Sequence, residues 1–353
     1  MPVHVAFDPY EIAEGDRLTV ATPGLNVLWN EFHKARNAYN RKRQQFFPAI
    51  PLPNRLVHAL RLCKETPSGG QRKIITTNAH KTLAGEASGI KTGLVYLAPA
   101  TSAHIKVRGL RFTLCPNARA CIKPCIQNTG QMVYSNAKIA RLARTLWFLL
   151  APDDFLATLW TELVALRRAA ERAGMQVGIR LDGTSDLLWG DILTHAFGEA
   201  VVDEFMQLGA FYGYTKLGPA ERAGCLKRGF HFTYSWNETP DSPALSREWL
   251  RYGVSTALVI AGPRGTTPEE NKEWSKRFSA RYAPGKEKFY GRHVLDYDVD
   301  DARFRDSTTP HWGALSFKGH KATQDGSGFA LRFDDNLELI DTKQHRRLLA
   351  ASL

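Results

Sequence analysis

Three cysteines stand close together in the segment LCPNARACIKPCIQNTG, where Cys115, Cys121 and Cys125 follow the spacing Cys-x5-Cys-x3-Cys. Thiolates bind soft and borderline metals, and three of them in one short loop can converge on a single site. A structural zinc site usually has two pairs of ligands, and no second Cys-x2-Cys or His pair follows in the sequence. Three thiolates leave one coordination position open, which suits a [4Fe–4S] cluster with one iron available to a small molecule. The sequence therefore predicts a metal site; the alternative is three cysteines that are simply buried near one another.

The other two cysteines, Cys63 and Cys225, are isolated, and we interpret both as structural. An odd total of five cysteines, in a chain whose N-terminus shows no export signal, argues against a disulfide framework.

A second polar group occurs in RLDGTSDLLWGD, where Asp182 and Asp186 bracket Gly183, Thr184 and Ser185. Glycine permits close backbone approach, and the small residues offer N–H and hydroxyl groups to a polar ligand. We therefore expect that position 183 has no room for a Cβ beside that ligand. The alternative is that Asp182 or Ser185 caps the following helix.

Polar residues also follow later strand-like runs, in FYGYTK with Lys216 and in FHFTYSWNE with Ser235, Asn237 and Glu238. Each of these residues alone is as easily explained as an ordinary polar residue of a surface loop. As a series, they are consistent with one site surrounded by loops. Two further strand ends carry clusters of charge, with Asp296, Asp298, Asp300 and Asp301 in one and Lys318, His320, Lys321 and Asp325 in the other.

These residues need a scaffold, and the sequence alternates strand-like and helix-like runs from residue 100 onward. The run 103–114 reads as a strand leading into the cysteine loop, and 135–150 reads as a helix with Ser135 as its N-cap. A second helix should end at Gly174. Strand–helix alternation predicts an α/β protein with a parallel sheet, either a whole or partial (β/α) barrel or an open doubly wound sheet. The further strands are expected at 175–181, 210–216, 230–236, 256–262, 292–298 and 311–317.

Composition limits the class of protein. The 353 residues are 43% hydrophobic and 23% charged, which is typical of a globular chain. No apolar run is long enough to span a bilayer, and we expect a cytoplasmic protein with no membrane partner. The net charge of +12 suggests a nucleotide or nucleic-acid partner, and a basic helix near 24–46 could lie along phosphates; solubility alone is the other explanation.

The chain is expected to divide into an N-terminal basic helical or irregular extension (1–74), the (β/α) barrel (75–335) and a C-terminal basic tail (336–353). No Gly-x-Gly-x-x-Gly or Gly-x-x-x-x-Gly-Lys loop follows a strand, so nucleotide binding of those two kinds is not expected.

The ordered motifs resemble those of a phage- and plasmid-encoded family related to the phage gene-product-eighty-eight proteins, over roughly residues 75–333. The motifs are NAHKT, LVYLAPA, CPNARACIKPC, RLDGTSD, FYGYTK, DARFRD and FKGHKATQDGSGF. More distantly, the layout is similar to radical S-adenosylmethionine enzymes. In those enzymes three cysteines hold a [4Fe–4S] cluster whose open iron binds the cofactor, and a turn after the second strand contacts the cofactor's amino group. The usual spacing there is Cys-x3-Cys-x2-Cys, from which this loop departs.

The resemblance implies roles for the polar residues. Cys115, Cys121 and Cys125 would bind the cluster, and S-adenosylmethionine would contact Gly183, Thr184, Ser185, Ser235 and Asn237. Asp182, Asp186, Lys216 and Glu238 would orient the substrate or move protons. The first hypothesis is thus a radical S-adenosylmethionine-like iron–sulfur enzyme, with a nucleotide or nucleic acid as its substrate. The second is a metal-stabilised, replication-associated nucleic-acid-binding protein without radical chemistry. A third is hydrolysis of phosphate esters, with divalent metal held by carboxylates at 182–186 and 296–301.

Overall fold

The computed structural model describes most of the chain. Cys63, His320, Lys321 and the expected basic helix near 24–46 lie outside it. The described residues are 18–20, 64–66, 70–99, 105–107, 110–111, 113–122, 124–306, 309–319 and 325–352.

The strands follow the expected runs closely from residue 175 onward. They are β1 (Leu18–Val20), β2 (Ile75–Thr76), β3 (Ile90–Val95), β4 (Ile105–Val107), β5 (Leu110–Arg111), β6 (Gln176–Arg180), β7 (Ala210–Thr215), β8 (His231–Ser235), β9 (Thr256–Ala261), β10 (Val294–Asp296), β11 (Trp312–Ser316) and β12 (Leu331–Arg332).

Helices separate most of these strands. They are α1 (His80–Ala87), α2 (Ser135–Leu150), α3 (Pro152–Arg172), α4 (Trp189–Phe197), α5 (Glu199–Met206), α6 (Ala223–Lys227), α7 (Ser242–Arg251), α8 (Pro268–Arg281) and α9 (Thr342–Ser352). The expected stop at Gly174 is confirmed, because Gly174 follows α3 with a φ of +64°, a conformation that glycine adopts without steric cost. None of the described helices is long and apolar enough to cross a membrane.

Nine strands form one mostly parallel sheet, which confirms the α/β class. Their order is β10-β11-β9-β8-β7-β6-β3-β2, with β12 beside β9 and only β2 antiparallel to its neighbour. From β3 to β9 spatial neighbours follow chain order, and right-handed crossovers then place the connections on one face of the sheet, as in a barrel. Barrel closure is not confirmed, because in the described part of the chain the edge strands β2 and β10 do not pair with each other.

The two faces of the sheet differ in chemistry because side chains alternate along each strand. Ile179 and Phe211 belong to the apolar core with the helices. On the opposite face, Arg180 forms an ion pair with Asp301 at 2.5 Å, and the ring of Phe304 contacts that of Tyr212. The segment 297–306 therefore covers the polar face of the sheet.

The strand expected at 103–114 is wrong as a single element of the main sheet. Two short strands, β4 and β5, pair antiparallel there, and with β1 they form a separate three-stranded sheet. A hairpin of two short strands has the same period-2 pattern as one longer strand, so periodicity alone does not detect the reversal. The cysteine loop therefore follows β5, and β3 is the last strand of the parallel sheet before it.

The start of one helix and the C-terminal segment also differ from expectation. Helix α2 begins at Ser135, and its cap position is Tyr134, which makes no side-chain cap bond, so the expected Ser135 N-cap is wrong. The segment 336–353, expected to be a basic tail, contains helix α9. Leu348 and Ala351 of this helix are fully buried in an apolar cluster with α8 and β11.

Candidate functional site

A cavity of about 160 Å³ opens at the carboxyl ends of β6, β7 and β8. Cys115, Cys121 and Cys125 all line it. A cavity needs roughly 10–15 Å³ in the same measure to hold one water, so this one can hold a group of several heavy atoms. The structure thus brings the three cysteines to one space, at the edge of the sheet where α/β proteins keep their sites.

Short 3-10 turns position the cysteine loop. Cys121 lies in the turn Ala120–Ile122, and Cys125 immediately precedes the turn Ile126–Asn128. The Cys115 thiol donates to the Thr184 carbonyl at 3.4 Å, which ties the loop to the turn after β6. All three cysteines are half-buried.

Burial raises the pKa of the Cys125 thiol. The backbone N–H of Gln127 and the cations Arg141 and Lys216 act in the opposite direction, and the Cys121 sulfur adds to the increase. Cys125 is therefore a neutral thiol at pH 7, and a metal binding there must displace its proton.

A single metal ion does not fit the arrangement as it stands. Among the described residues no group of three His, Cys, Asp or Glu side chains is close enough to hold one ion. Tetrahedral zinc–thiolate bonds of about 2.3 Å require sulfurs only about 3.8 Å apart.

The turn after β6 is built around Asp182. Its Oδ1 accepts hydrogen bonds from Ser185 Oγ at 2.6 Å, the Leu187 N–H at 3.1 Å and Trp189 Nε1 at 3.0 Å. Burial nevertheless raises the pKa of this carboxyl, against the effect of Arg222. Asp182 therefore fixes the shape of its own turn, with Gly183 and Ser185 facing the cavity.

Gly183 is required for a reason other than the one expected. A Cβ at this position would lie 2.6 Å from the Val95 carbonyl oxygen and 2.7 Å from the Tyr96 ring. The Gly183 N–H also donates to that carbonyl at 3.0 Å. Close packing on the end of β3, within the protein itself, therefore excludes a side chain here.

Sequence reasoning missed Arg222, which is completely buried behind the turn. Its guanidinium binds the Asp186 carboxylate and donates to the Leu187 carbonyl, and its Nε donates to Thr215 Oγ1 at 3.0 Å. Burial alone would lower the pKa of Arg222, but Asp186 and Asp182 raise it above its ordinary value. Arg222 lies in a polar run, PAERAG, that carries no sequence signal of burial.

Asp186 connects this network to the next strand. Its Oδ2 accepts the Lys216 backbone N–H at 2.9 Å, and its own N–H donates to the Leu114 carbonyl at 2.8 Å. Both oxygens of Asp186 are thus engaged, which makes it a positioning residue in this structure.

Lys216 and Ser235 also line the cavity, and Lys216 Nζ donates to Ser235 Oγ at 2.6 Å. Tyr214, which sequence reasoning did not single out, lines it as well. Its hydroxyl is buried and makes no hydrogen bond in the described structure. Burial, followed by the charge of Asp301, holds the pKa of Tyr214 well above its ordinary value.

Three of the expected site residues do not line the cavity. Asn237 turns back on its own loop, where its Oδ1 accepts the Thr239 N–H at 2.9 Å. Glu238 Oε1 accepts the Ala120 N–H at 2.7 Å and so holds the cysteine loop from behind. Thr184 donates to the Leu97 carbonyl at 2.5 Å.

The acidic cluster after β10 is dispersed by separate cations. Asp301 pairs with Arg180, and Lys318 Nζ contacts Asp298 at 2.7 Å. Asp300 pairs with Arg303 at 2.7 Å. Carboxylates already neutralised in this way are poor ligands for a divalent metal.

The gene product 88 family model matches residues 64–332. This span exceeds half of the chain, so the chain belongs to the gene product 88 family, which confirms the resemblance to the phage gene-product-eighty-eight proteins; the likeness to radical S-adenosylmethionine enzymes stays a prediction. No curated protein and no solved structure matches the chain.

Proposed function

We propose that this gene product 88 protein is an iron–sulfur enzyme whose [4Fe–4S] cluster is bound by Cys115, Cys121 and Cys125. One observation carries the proposal: the three cysteines line a single cavity together with the polar turn after β6. A chance group of buried cysteines would not need to share a cavity with a polar turn at the carboxyl edge of a parallel sheet.

The donor set fits a cluster better than a single ion. Three thiolates are the protein ligands of a cluster that keeps one iron open. The irons of a cluster occupy separate corners, so their cysteines stand further apart than those around one zinc ion.

When bound, a cluster of this type would supply an open iron position for a small molecule such as S-adenosylmethionine, whose chemistry is that of the cofactor. The chain's own contribution is to position and enclose it. Gly183 and Ser185 face the cavity, and Asp182 keeps their turn in shape. Glu238 holds the start of the Ala120–Ile122 turn, and with it Cys121.

The alternative function is a metal-stabilised, replication-associated protein that binds nucleic acid without radical chemistry. Its support is the net charge of +12. A protein of this kind would lose affinity for DNA steeply as salt rises, and its metal would be structural.

Purification without oxygen tests the first proposal. We expect brown protein with about four irons and four sulfides per chain, the stoichiometry of the cluster type. Cys121→Ala should lose this iron. Cys225→Ala is the matched control, because Cys225 is buried beside Arg222, away from the cavity lining, and should leave the iron content unchanged.

A preparation that contains zinc only, and that cannot be reconstituted with iron and sulfide, would contradict the proposal and favour the alternative. Titration with S-adenosylmethionine then tests the cofactor separately: we expect a change in the cluster's spectrum, and no change would mean that the open position binds another molecule.

A further inference from the structure

The wall of the cavity formed by β7 and β8 carries hydrogen-bond donors that the protein does not use. Tyr214 and Lys216 are two residues apart, so they lie on the same face of the chain as it leaves β7. The β7–β8 register pairs Thr215 with Tyr234, which places Lys216 beside Ser235. All three polar side chains line the cavity.

Lys216 differs from the buried arginines nearby, because their charges are neutralised by carboxylates and its charge is not. Arg180 pairs with Asp301, and Arg222 pairs with Asp186. Among the described residues, the Lys216 ammonium has no carboxylate within ion-pair distance, and its one hydrogen-bond partner is Ser235. An ammonium group has three N–H donors, so two remain for another partner.

The Tyr214 hydroxyl is the second unused donor. It is buried and without a partner in the described structure, although buried polar atoms in folded proteins nearly always have one. Tyr214 also stacks on Arg180, with the guanidinium carbon 4.8 Å from the ring centre, so the ring is held in place.

The acidic residues of the same cavity do not compete for these donors. Asp182 accepts three hydrogen bonds from its own turn, and both oxygens of Asp186 are occupied. The ring of Phe329 lies 5.5 Å from Lys216 Nζ and shields the ammonium from water on that side. Asp301, whose charge acts on Tyr214, is paired with Arg180. A bound group therefore needs acceptor oxygens, and a negative charge on it would pair with Lys216.

We propose that Lys216 and Tyr214, with Ser235, form a subsite for an oxyanion, the phosphate or carboxylate of the substrate. The subsite lies in the cavity lined by the three cysteines, so the anion anchors the substrate where the iron–sulfur chemistry would act. This inference rests on the proposed function for its role in a reaction, but anion binding itself does not require the cluster. Charge-assisted hydrogen bonds to such oxygens are among the strongest that side chains make.

Calorimetric titration of the full-length protein with inorganic phosphate and, separately, with acetate tests the subsite. We expect saturable binding of at least one anion per chain. Lys216→Gln should weaken it about tenfold, the effect of losing one charge-assisted bond. Tyr214→Phe should weaken it less, by about threefold, and should fold normally because it removes only an unpaired hydroxyl.

Lys318→Gln is the matched control, since Lys318 follows β11, pairs with Asp298 and does not line the cavity. Phosphate binding without acetate binding would identify a phosphoryl substrate. Acetate binding without phosphate binding would identify a carboxylate substrate. If neither anion binds, or if Lys216→Gln binds as well as the wild type, the subsite is overturned. Iron analysis of the same samples separates the two proposals: iron without anion binding removes only the subsite, and Lys216-dependent binding without iron removes only the cluster.

Discussion

The two sides of the cavity are built in opposite ways. The side after β6 is a closed network in which buried Arg222, Asp186 and Asp182 satisfy one another and the surrounding backbone. The cysteine side is a loop of short 3-10 turns with half-buried thiols, bonded to the rest of the protein at the Thr184 carbonyl and the Glu238 carboxylate. We therefore expect the first side to be preformed and the second to take its final shape when it binds a ligand. This difference predicts that substitutions on the first side affect folding and those on the second affect ligand content.

The largest effect is expected at Arg222. Arg222→Met would leave the carboxylates of Asp186 and Asp182 buried without their cation, and we expect a loss of about 3–5 kcal/mol in unfolding free energy. Urea denaturation measures it. Lys227→Met, which breaks an exposed pair with Glu199, should cost no more than about 0.5 kcal/mol. A similar small loss at Arg222 would show that the network is not what fixes this side.

The next effect concerns alkaline pH, because burial raises the pKa of Cys225 to about 11 from 9.0. A raised folded-state pKa means that stability is fully present below pH 9 and is lost as pH rises towards 11. The loss should reach about 2–3 kcal/mol, from about 1.4 kcal/mol per pKa unit.

Thermal unfolding of metal-free wild type and Cys225→Ala between pH 8 and 11 measures this loss as the difference between the two proteins, because buried tyrosines such as Tyr214 add a loss that both share. Cys125→Ala should differ less from the wild type, because Cys125 is only half-buried, although its pKa is also raised by burial. Equal effects of the two variants would break the contrast between the sides.

A third effect is expected at Gly183, where a methyl group would meet the Val95 carbonyl oxygen. Gly183→Ala should destabilise the fold by about 1–3 kcal/mol through overpacking. Gly213→Ala is the matched control on β7, because its Cβ would meet nothing within 4 Å. Loss of S-adenosylmethionine binding with unchanged stability would restore the original expectation, that the glycine makes room for a ligand.

The smallest effect belongs to the loop. Glu238→Gln weakens the charge-assisted bond to the Ala120 N–H, and we expect only about 1 kcal/mol of global destabilisation. Amide exchange at Ala120 should nevertheless accelerate several-fold, and the cluster should be lost sooner in air. Unchanged exchange at Ala120 would mean that Glu238 does not hold the loop.

The sequence predicted those parts of the fold that depend on a local pattern of residues. Period-2 runs located β6 to β9 and β11, and the rule that parallel strands end at one edge explains why Cys115, Ser185 and Lys216 meet in one cavity. The β4–β5 reversal was not predictable from periodicity. The buried ion pairs Arg222–Asp186 and Arg180–Asp301 were not predictable either, because each joins residues far apart in the chain and a charged residue in a sequence looks solvent-exposed by default.

The covering of the polar face by segment 297–306 has a consequence for the direction of approach. With Asp301 on Arg180 and Phe304 against Tyr212, that face of the sheet is occupied below the cavity. We therefore expect a molecule that reaches the cysteines to arrive end-on, along the strand axes. A long polymer lying flat across the sheet could not bring its interior to the thiols; it would have to offer a chain end or a single residue turned outward.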